Sequence, residues 1–533
     1  MAVNNRELYE AVQQFGGIRA ASRELGIPKS TISDRLKNYS PDLPEHAALP
    51  TSDMFAGSHV EEEGVETINY CKTQTAPVAR YILTSAQNNC QVHAQFLKNL
   101  QALAKKVDAQ ILIGFTIYDK AGYRGLVRKG EHVRNRDIWW DKAVMPYAMN
   151  KCAKLAKRFS FCGELDIIAT AQQPLSSLES YCGRSSIAVP HNKFQFKCVE
   201  SRHHQMPKEM YTTGSVTKKR FVQRKAGQLA QFHHVLGALL VEVTDDGYFY
   251  VHHLNAEKDG SFYWLNTRVE NGKTKKAQPI SGLILGDIHA EKFNWYDLRY
   301  IGKIIQTLRP ADIFVHDLLD FRSRNHHNIR DPFFRVSEKS FTVRDDLLSA
   351  GTFLHSLAKK SPDAKIWVVA SNHDAALARW IKETDWRTDA INAYTYLSIA
   401  RHAVKLIDDG LILDRLRLLR IAIEEYCDID KSVTFLHQDE SIEVEGIECG
   451  IHGHIGPNGA RGNPRAYSRL GFKTFTAHTH TPSINDGCYT VGVSGNLDMG
   501  YNKGPSKWMH CHGIIYPNGK RAFLFYKNDK WRA

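Results

Sequence analysis

GLILGDIHAE, residues 282–291, is an apolar run that gives way to Asp287 and His289 at its C-terminal end. Such a run reads as a buried strand, and residues two apart on an extended chain point the same way, so both side chains can reach one cation. Four later segments repeat the design. ADIFVHDLLDF (311–321) ends in Asp317, with Asp320 a turn later, and AKIWVVASNHDAA (364–376) ends in Asn372, His373 and Asp374. VEGIECGIHGHIG (444–456) ends in His452 and His454, and FKTFTAHTHTPS (472–483) in His478 and His480. Five apolar strands that each release polar residues at their C-terminal ends predict an α/β fold with its site gathered there.

The donor types set the chemistry. Carboxylate, imidazole and one amide oxygen suit borderline-hard divalent ions such as Mn²⁺, Fe²⁺ or Zn²⁺, not a thiolate zinc or an all-oxygen calcium site. A carboxylate shared by two ions holds them about 3.5–4 Å apart, the spacing for in-line displacement at phosphorus. A lone D-x-H is more often chance than a site, and H-x-H can be a surface pair. The ordered set of five carries the metal reading.

That set resembles the calcineurin-like metallophosphoesterase superfamily, whose pattern runs D-x-H, G-D-x-x-D, G-N-H-[DE], a single His and G-H-x-H. The resemblance covers about residues 280–525. It implies a four-layer-type β-sandwich flanked by helices and a centre of two divalent ions, Mn first, with Fe, Zn or Mg as alternatives. One ion would be held by Asp287, His289 and His480, the other by Asn372, His452 and His478, with Asp317 bridging. His373 would stabilise the phosphate or protonate the leaving oxygen, and Asp374 would orient its ring. His454 remains an alternative to His452. Three positions depart from the pattern, where His316, Ser371 and Ala477 replace the glycines before Asp317, Asn372 and His478. They put local backbone geometry in question, not the ligands.

Around this region, 533 residues allow two or three domains, and 43% apolar content is ordinary for a chain that buries a core. No apolar run approaches bilayer length and MAVNNRELYE has no signal-like core, so a cytoplasmic protein is expected, in host cytoplasm if phage-encoded, with no membrane partner. Ten cysteines without a C-x-x-C pair argue against a disulfide framework or a thiolate zinc site; buried free thiols are expected. Lys and Arg total 70 against 57 Asp and Glu, a formal +13 that favours polyanionic partners.

Residues 1–39 read as an all-α head. ELYEAVQQFGG gives a first helix with Leu8, Val12 and Phe15 on one face. IRAASRELGIPKSTISDRLKNY then gives helix, turn and helix, with Ala21, Leu25, Ile27, Ile32 and Leu36 inward and Gly26 at the turn. This resembles the helix-turn-helix of DNA-binding proteins, which would put Lys29, Ser30, Thr31, Ser33, Asp34 and Arg35 on a recognition helix; the plainer reading is a three-helix bundle for protein contacts. Residues 40–75 read as a linker. Residues 76–278 read as an α/β domain of unknown role, opening β-α-β and continuing through GELDIIAT, SSIAVP, FQFKCV and YFYVHHL as strands. Its basic strip holds Lys218, Lys219, Arg220, Arg224 and Lys225. Residues 279–533 form the metallophosphoesterase-like domain.

Two basic loops flank the expected centre. FRSRNHHNIRDPFFR carries Arg322, Arg324, His326, His327 and Arg330, and GPNGARGNPRAYSR carries Arg461, Arg465 and Arg469. Arg forks on Gly-rich backbone can clamp a phosphodiester. With the head and the charge, they favour a Mn-dependent DNA nuclease of the Mre11/SbcD-type branch. The layout is also similar to phage-encoded metallophosphoesterases of the T5 pre-early type, implicated in host DNA degradation. A phosphomonoesterase, a nucleotide phosphodiesterase, and a DNA-binding regulator with a vestigial phosphoesterase domain are the alternatives. DNA is the expected partner, and self-association is an open expectation.

Overall fold

The structure is a computed structural model and describes residues 5–36, 78–118, 139–181, 183–202, 205–293, 295–324, 333, 342–411, 417–528 and 530–532. The expected linker and His326, His327 and Arg330 lie outside the described residues.

The chain is α/β. Leu283, Ile284 and Leu285 are fully buried, as expected of a strand covered on both faces. The Gly282–Ile284 strand sits inside a six-stranded sheet ordered Val433–Phe435, Lys365–Val368, Asp312–Val315, Gly282–Ile284, Cys511–Ile515 and Arg521–Phe525. The first four run parallel; Cys511–Ile515 runs antiparallel to both of its neighbours, Gly282–Ile284 and Arg521–Phe525. Parallel neighbours need a crossover, and helices Trp295–Leu308 and Val343–Lys360 supply two of them. The second starts on a capping box, in which Thr342 and Asp345 satisfy each other's backbone N–H groups.

Side chains alternate across this sheet. Leu283, Ile313 and Ile366 pack with the helices, while Ile284 and Phe314 join a second core with Ile447, Phe475, Ile484 and Tyr489. Those last four belong to a ten-stranded sheet, so the two large sheets share a core. Gly513 marks how closely they approach: a Cβ there would lie 2.3 Å from the Phe475 ring.

The ten-stranded sheet crosses the boundary expected at 278/279. Its order is Glu443–Val444, Ile447–Glu448, Lys473–Thr476, Cys488–Thr490, Ser483–Asn485, Phe196–Val199, Lys208–Thr212, Ser186–Val189, Phe159–Cys162 and Cys152–Ala156. The join is antiparallel, Ser483 opposite Lys197 and Ile484 opposite Phe196. Residues before and after 279 thus build one sheet. The β-α-β opening forms as expected, Val78–Gln87 pairing in parallel with Ala109–Thr116 across helix Ala94–Val107, within a four-stranded sheet. GELDIIAT is not a strand; the Asp166 carboxylate instead accepts the Ile117 N–H at 2.8 Å, tying the segment down as a loop.

The head forms three helices, Asn5–Gln14, Ile18–Leu25 and Lys29–Leu36, around buried Leu8, Ala21 and Ile32, and Gly26 turns the chain at φ 65°. Phe15 departs from expectation at 37% exposed, because the first helix ends before it. No helix among the described residues is long and apolar enough to cross a membrane.

Candidate metal centre

The five segments come from two sheets. Asp287, Asp317 and Asn372–Asp374 follow strands of the six-stranded sheet, and His452, His478 and His480 follow strands of the ten-stranded one. Their ends meet. Gly286 makes this possible, since a Cβ there would lie 2.8 Å from the Val493 carbonyl carbon. The bare backbone lets the Asp287 N–H reach the Gly492 carbonyl at 3.1 Å, and the Gly286 N–H donates to His512 Nδ1, also at 3.1 Å.

Two groups of donor atoms result. Asp287, His289, Asp317 and His480 offer atoms all within 4.8 Å of one another, and so do Asp317, His452 and His478. Asp317 belongs to both. His480 Nε2 is 3.1 Å from Asp287 Oδ2, His289 Nε2 is 3.1 Å from His480 Nε2, and His452 Nε2 is 3.3 Å from Asp317 Oδ2. The Asn372 amide oxygen joins the second group, 3.2 Å from His452 Nε2. His454 belongs to neither group, although its ring stands 5.3 Å from that of His452, the same separation as between His452 and His478.

The backbone is strained where it presents these donors. His289, Asp317, His478 and His480 have φ of 49°, 41°, 68° and 54°, left-handed values that cost a residue with a Cβ. Asp287 and His289 are fully buried, and Asp317 nearly so. Both oxygens of the Asp287 and Asp317 carboxylates are buried, and the polar groups facing them are the His480 and His452 imidazoles. Burial and the charge of Asp317 push the Asp287 carboxyl up, but the imidazoles of His480 and His452 outweigh them and hold it below its ordinary value. Burial also opposes ionisation of Asp317, and His452 followed by His373 reverses it. The reciprocal effect lifts His452: burial alone would lower it, and Asp317 raises it to about 9. Buried, donor-poor carboxylates facing imidazoles are groups a divalent cation would satisfy, so the residues fit a metal centre.

The expected role of Asp374 changes. Its carboxylate accepts the backbone N–H groups of Leu319 at 2.9 Å and Leu318 at 3.4 Å, bracing the turn after Asp317, not the His373 ring. The carboxylate beside that ring is Asp320. His373 Nδ1 lies 3.3 Å from the Asp320 carbonyl oxygen and 3.7 Å from its Oδ1, and the same Oδ1 is 3.3 Å from His289 Nδ1. Lys292 Nζ reaches the other oxygen at 3.1 Å. Asp320 was visible in the sequence as a second acid one turn after Asp317, but its contact with two imidazoles was not. Trp508, whose ring centroid is 4.2 Å from that of His480, carried no sequence signal. The three glycine replacements are accommodated: His316 is buried and neutral, lowered by burial to about 3, Ser371 Oγ accepts the Asp374 N–H, and Ala477 N–H donates to the His452 carbonyl.

The expected DNA contacts divide. Lys29, Ser30, Thr31, Ser33 and Asp34 are exposed on the third helix of the head, which also carries Arg35, and Arg461, Arg465 and Arg469 are exposed on the loop after His452. Arg324 is committed elsewhere. Its guanidinium grips the Asp389 carboxylate with two nitrogens, Nε at 2.7 Å, and the side chains are 11% and 7% exposed. Arg322 is partly buried on the same turn.

The chain is 35% identical to Protein A1 of Escherichia phage T5 over 525 residues, covering 95% of this chain and 92% of that protein. It belongs to the Protein A1 family. No family model matches the chain, and no solved structure matches it. Family membership spans both sides of residue 279, as the shared sheet does.

Proposed function

We propose that the chain is a phage-encoded two-metal phosphodiesterase acting on DNA, with the layered β-sandwich of the metallophosphoesterases. The observation that carries this reading is Asp317 serving both donor groups, the arrangement in-line displacement at phosphorus uses. Asp287, His289 and His480 would hold one ion, and Asn372, His452 and His478 the other; when bound, manganese-class ions supply Lewis acidity and an activated water. His373, doubly protonated with its Nδ1–H on the Asp320 carbonyl, would give its Nε2 proton to the leaving oxygen. Asp320 fixes the rings of His373 and His289, and Asp374 braces the turn that bears Asp317. DNA as substrate is supported by the exposed face of the third head helix, by Arg461 and Arg465, and by the formal +13 charge. The phage relative supports phage encoding and action in host cytoplasm.

The test is the purified chain with Mn²⁺ or EDTA on linear DNA, circular DNA and p-nitrophenyl phosphates. Metal-dependent DNA cleavage that falls by orders of magnitude in His373→Ala is the expected result. Cleavage of small esters alone would leave a phosphomonoesterase or nucleotide phosphodiesterase, and cleavage of nothing a DNA-binding regulator.

A further inference from the structure

We propose that Cys152, Cys162 and Glu164 form a second metal site, a thiolate–carboxylate site for a zinc-class ion that pins the loop of residues 163–181 to the ten-stranded sheet. Nine intervening residues hide this pairing in the sequence, where the cysteines read as scattered singles. Strand pairing reveals it. Cys152 and Cys162 stand directly opposite each other on antiparallel strands, which puts both side chains on one face of the sheet. They are 8% and 1% exposed.

The third donor arrives by a tight turn. The Leu165 N–H donates to the Cys162 carbonyl at 3.2 Å, closing a turn with Gly163 and Glu164 at its centre. Gly163 is required there, because a Cβ would lie 2.0 Å from the Met149 carbonyl oxygen. The turn brings the Glu164 carboxylate back to the sulfurs, and donor atoms of all three residues lie within 4.8 Å of one another. Glu164 is 7% exposed. Its Oε1 accepts the Tyr181 hydroxyl at 2.8 Å, while Oε2 is buried with no hydrogen-bond partner. A disulfide would join the sulfurs and leave that oxygen orphaned. A cation answers all three groups, and two sulfurs with one carboxylate select zinc over the harder ions suited to the aspartate–histidine centre.

The site has a structural task. Residues 163–181 contain turns but no helix or strand, and they hold to the sheet through Leu165, Ile167, Leu175, Leu178 and Tyr181. An ion there would anchor the first residues of that loop to two strands and, through Tyr181, its far end.

Cobalt provides the test, because thiolate–cobalt bonds absorb in the near ultraviolet and the aspartate–histidine centre contains no sulfur. The full chain, stripped of metal and reloaded with Co²⁺, is expected to show that band at one equivalent per chain. Asp317→Ala should keep it; Cys152→Ser, Cys162→Ser and Glu164→Gln should weaken or abolish it. Co²⁺ uptake by the unmodified chain without a thiolate band would overturn the proposal, with no dependence on how the variants fold. A linked Cys152–Cys162 peptide in a non-reducing digest would overturn it in favour of a disulfide.

Discussion

Asp320→Asn removes one charge at nearly constant volume, from a fully buried carboxylate that touches His289 Nδ1 at 3.3 Å, His373 Nδ1 at 3.7 Å and Lys292 at 3.1 Å. Burial pushes this carboxyl up, but His289 and Lys292 hold it well below the carboxylate range, so the charge lost is a full one. Carboxylates that orient a ligand's second nitrogen contribute about 10–100-fold to metal affinity or activity, or about 1.4–2.7 kcal/mol at 1.36 kcal/mol per decade. Asp320 serves two rings at once and neutralises Lys292, so the upper end applies: kcat/KM on bis-p-nitrophenyl phosphate should fall about 100-fold. Calorimetric titration with Mn²⁺ separates the two contributions, since the His289 contact acts on affinity and the His373 contact on turnover at saturating metal. Asp374→Asn is the control. Its carboxylate caps two backbone N–H groups, so it should cost about 1–3 kcal/mol of stability with a smaller loss of turnover. Asp320→Asn within about twofold of the parent in both affinity and turnover, with Asp374→Asn inactive but stable, would refute this division of roles.

Arg324→Ala should destabilise the chain by about 3 kcal/mol in urea unfolding, near the low end for removing one partner of a buried pair, because Asp389 keeps Asn392 and Trp380 as donors. Its DNA affinity by fluorescence anisotropy should not change; weaker binding at unaltered stability would return Arg324 to the DNA-contacting surface. Arg461→Ala and Arg465→Ala should each reduce the slope of log K against log salt by about one, and an unchanged slope would remove them from the interface. The metal-free chain carries a pH signature through His452, raised to about 9 chiefly by Asp317 against the opposing burial. Its protonation adds stability that is fully present below the unfolded value of about 6.5 and is lost as pH rises through the folded value, at up to about 1.4 kcal/mol per pH unit. Thermal unfolding in EDTA should therefore move to lower temperature across that window. A flat profile in EDTA would exclude His452 as the titrating group.

The cluster of donor residues was legible because its signal is local. Each strand delivers donors at its own end, and the alternation of Leu283 and Ile284 is written in consecutive residues. What escaped depends on residues far apart in the chain. Nothing in FRSR indicates that Arg324 meets Asp389, 65 positions on, and the similar look of Asp374 and Asp320 conceals which one faces the imidazole. The five strands read as equivalent, yet three lie in one sheet and two in the other, because apolar runs report burial and not partners. The head is the opposite case. Its three helices close on contacts within about thirty residues, and a left-handed Gly26 announces the turn.

The strand register across residue 279 bears on inheritance. A recombination crossover at the apparent boundary would unite halves that had never paired Ser483–Asn485 with Phe196–Val199. A mismatched graft would leave two raw sheet edges, ready to associate with other chains. Recombinants broken there should be purged as aggregates before their chemistry is tested by selection. The two halves of this chain are therefore expected to have travelled as one gene, and to be transplantable only together.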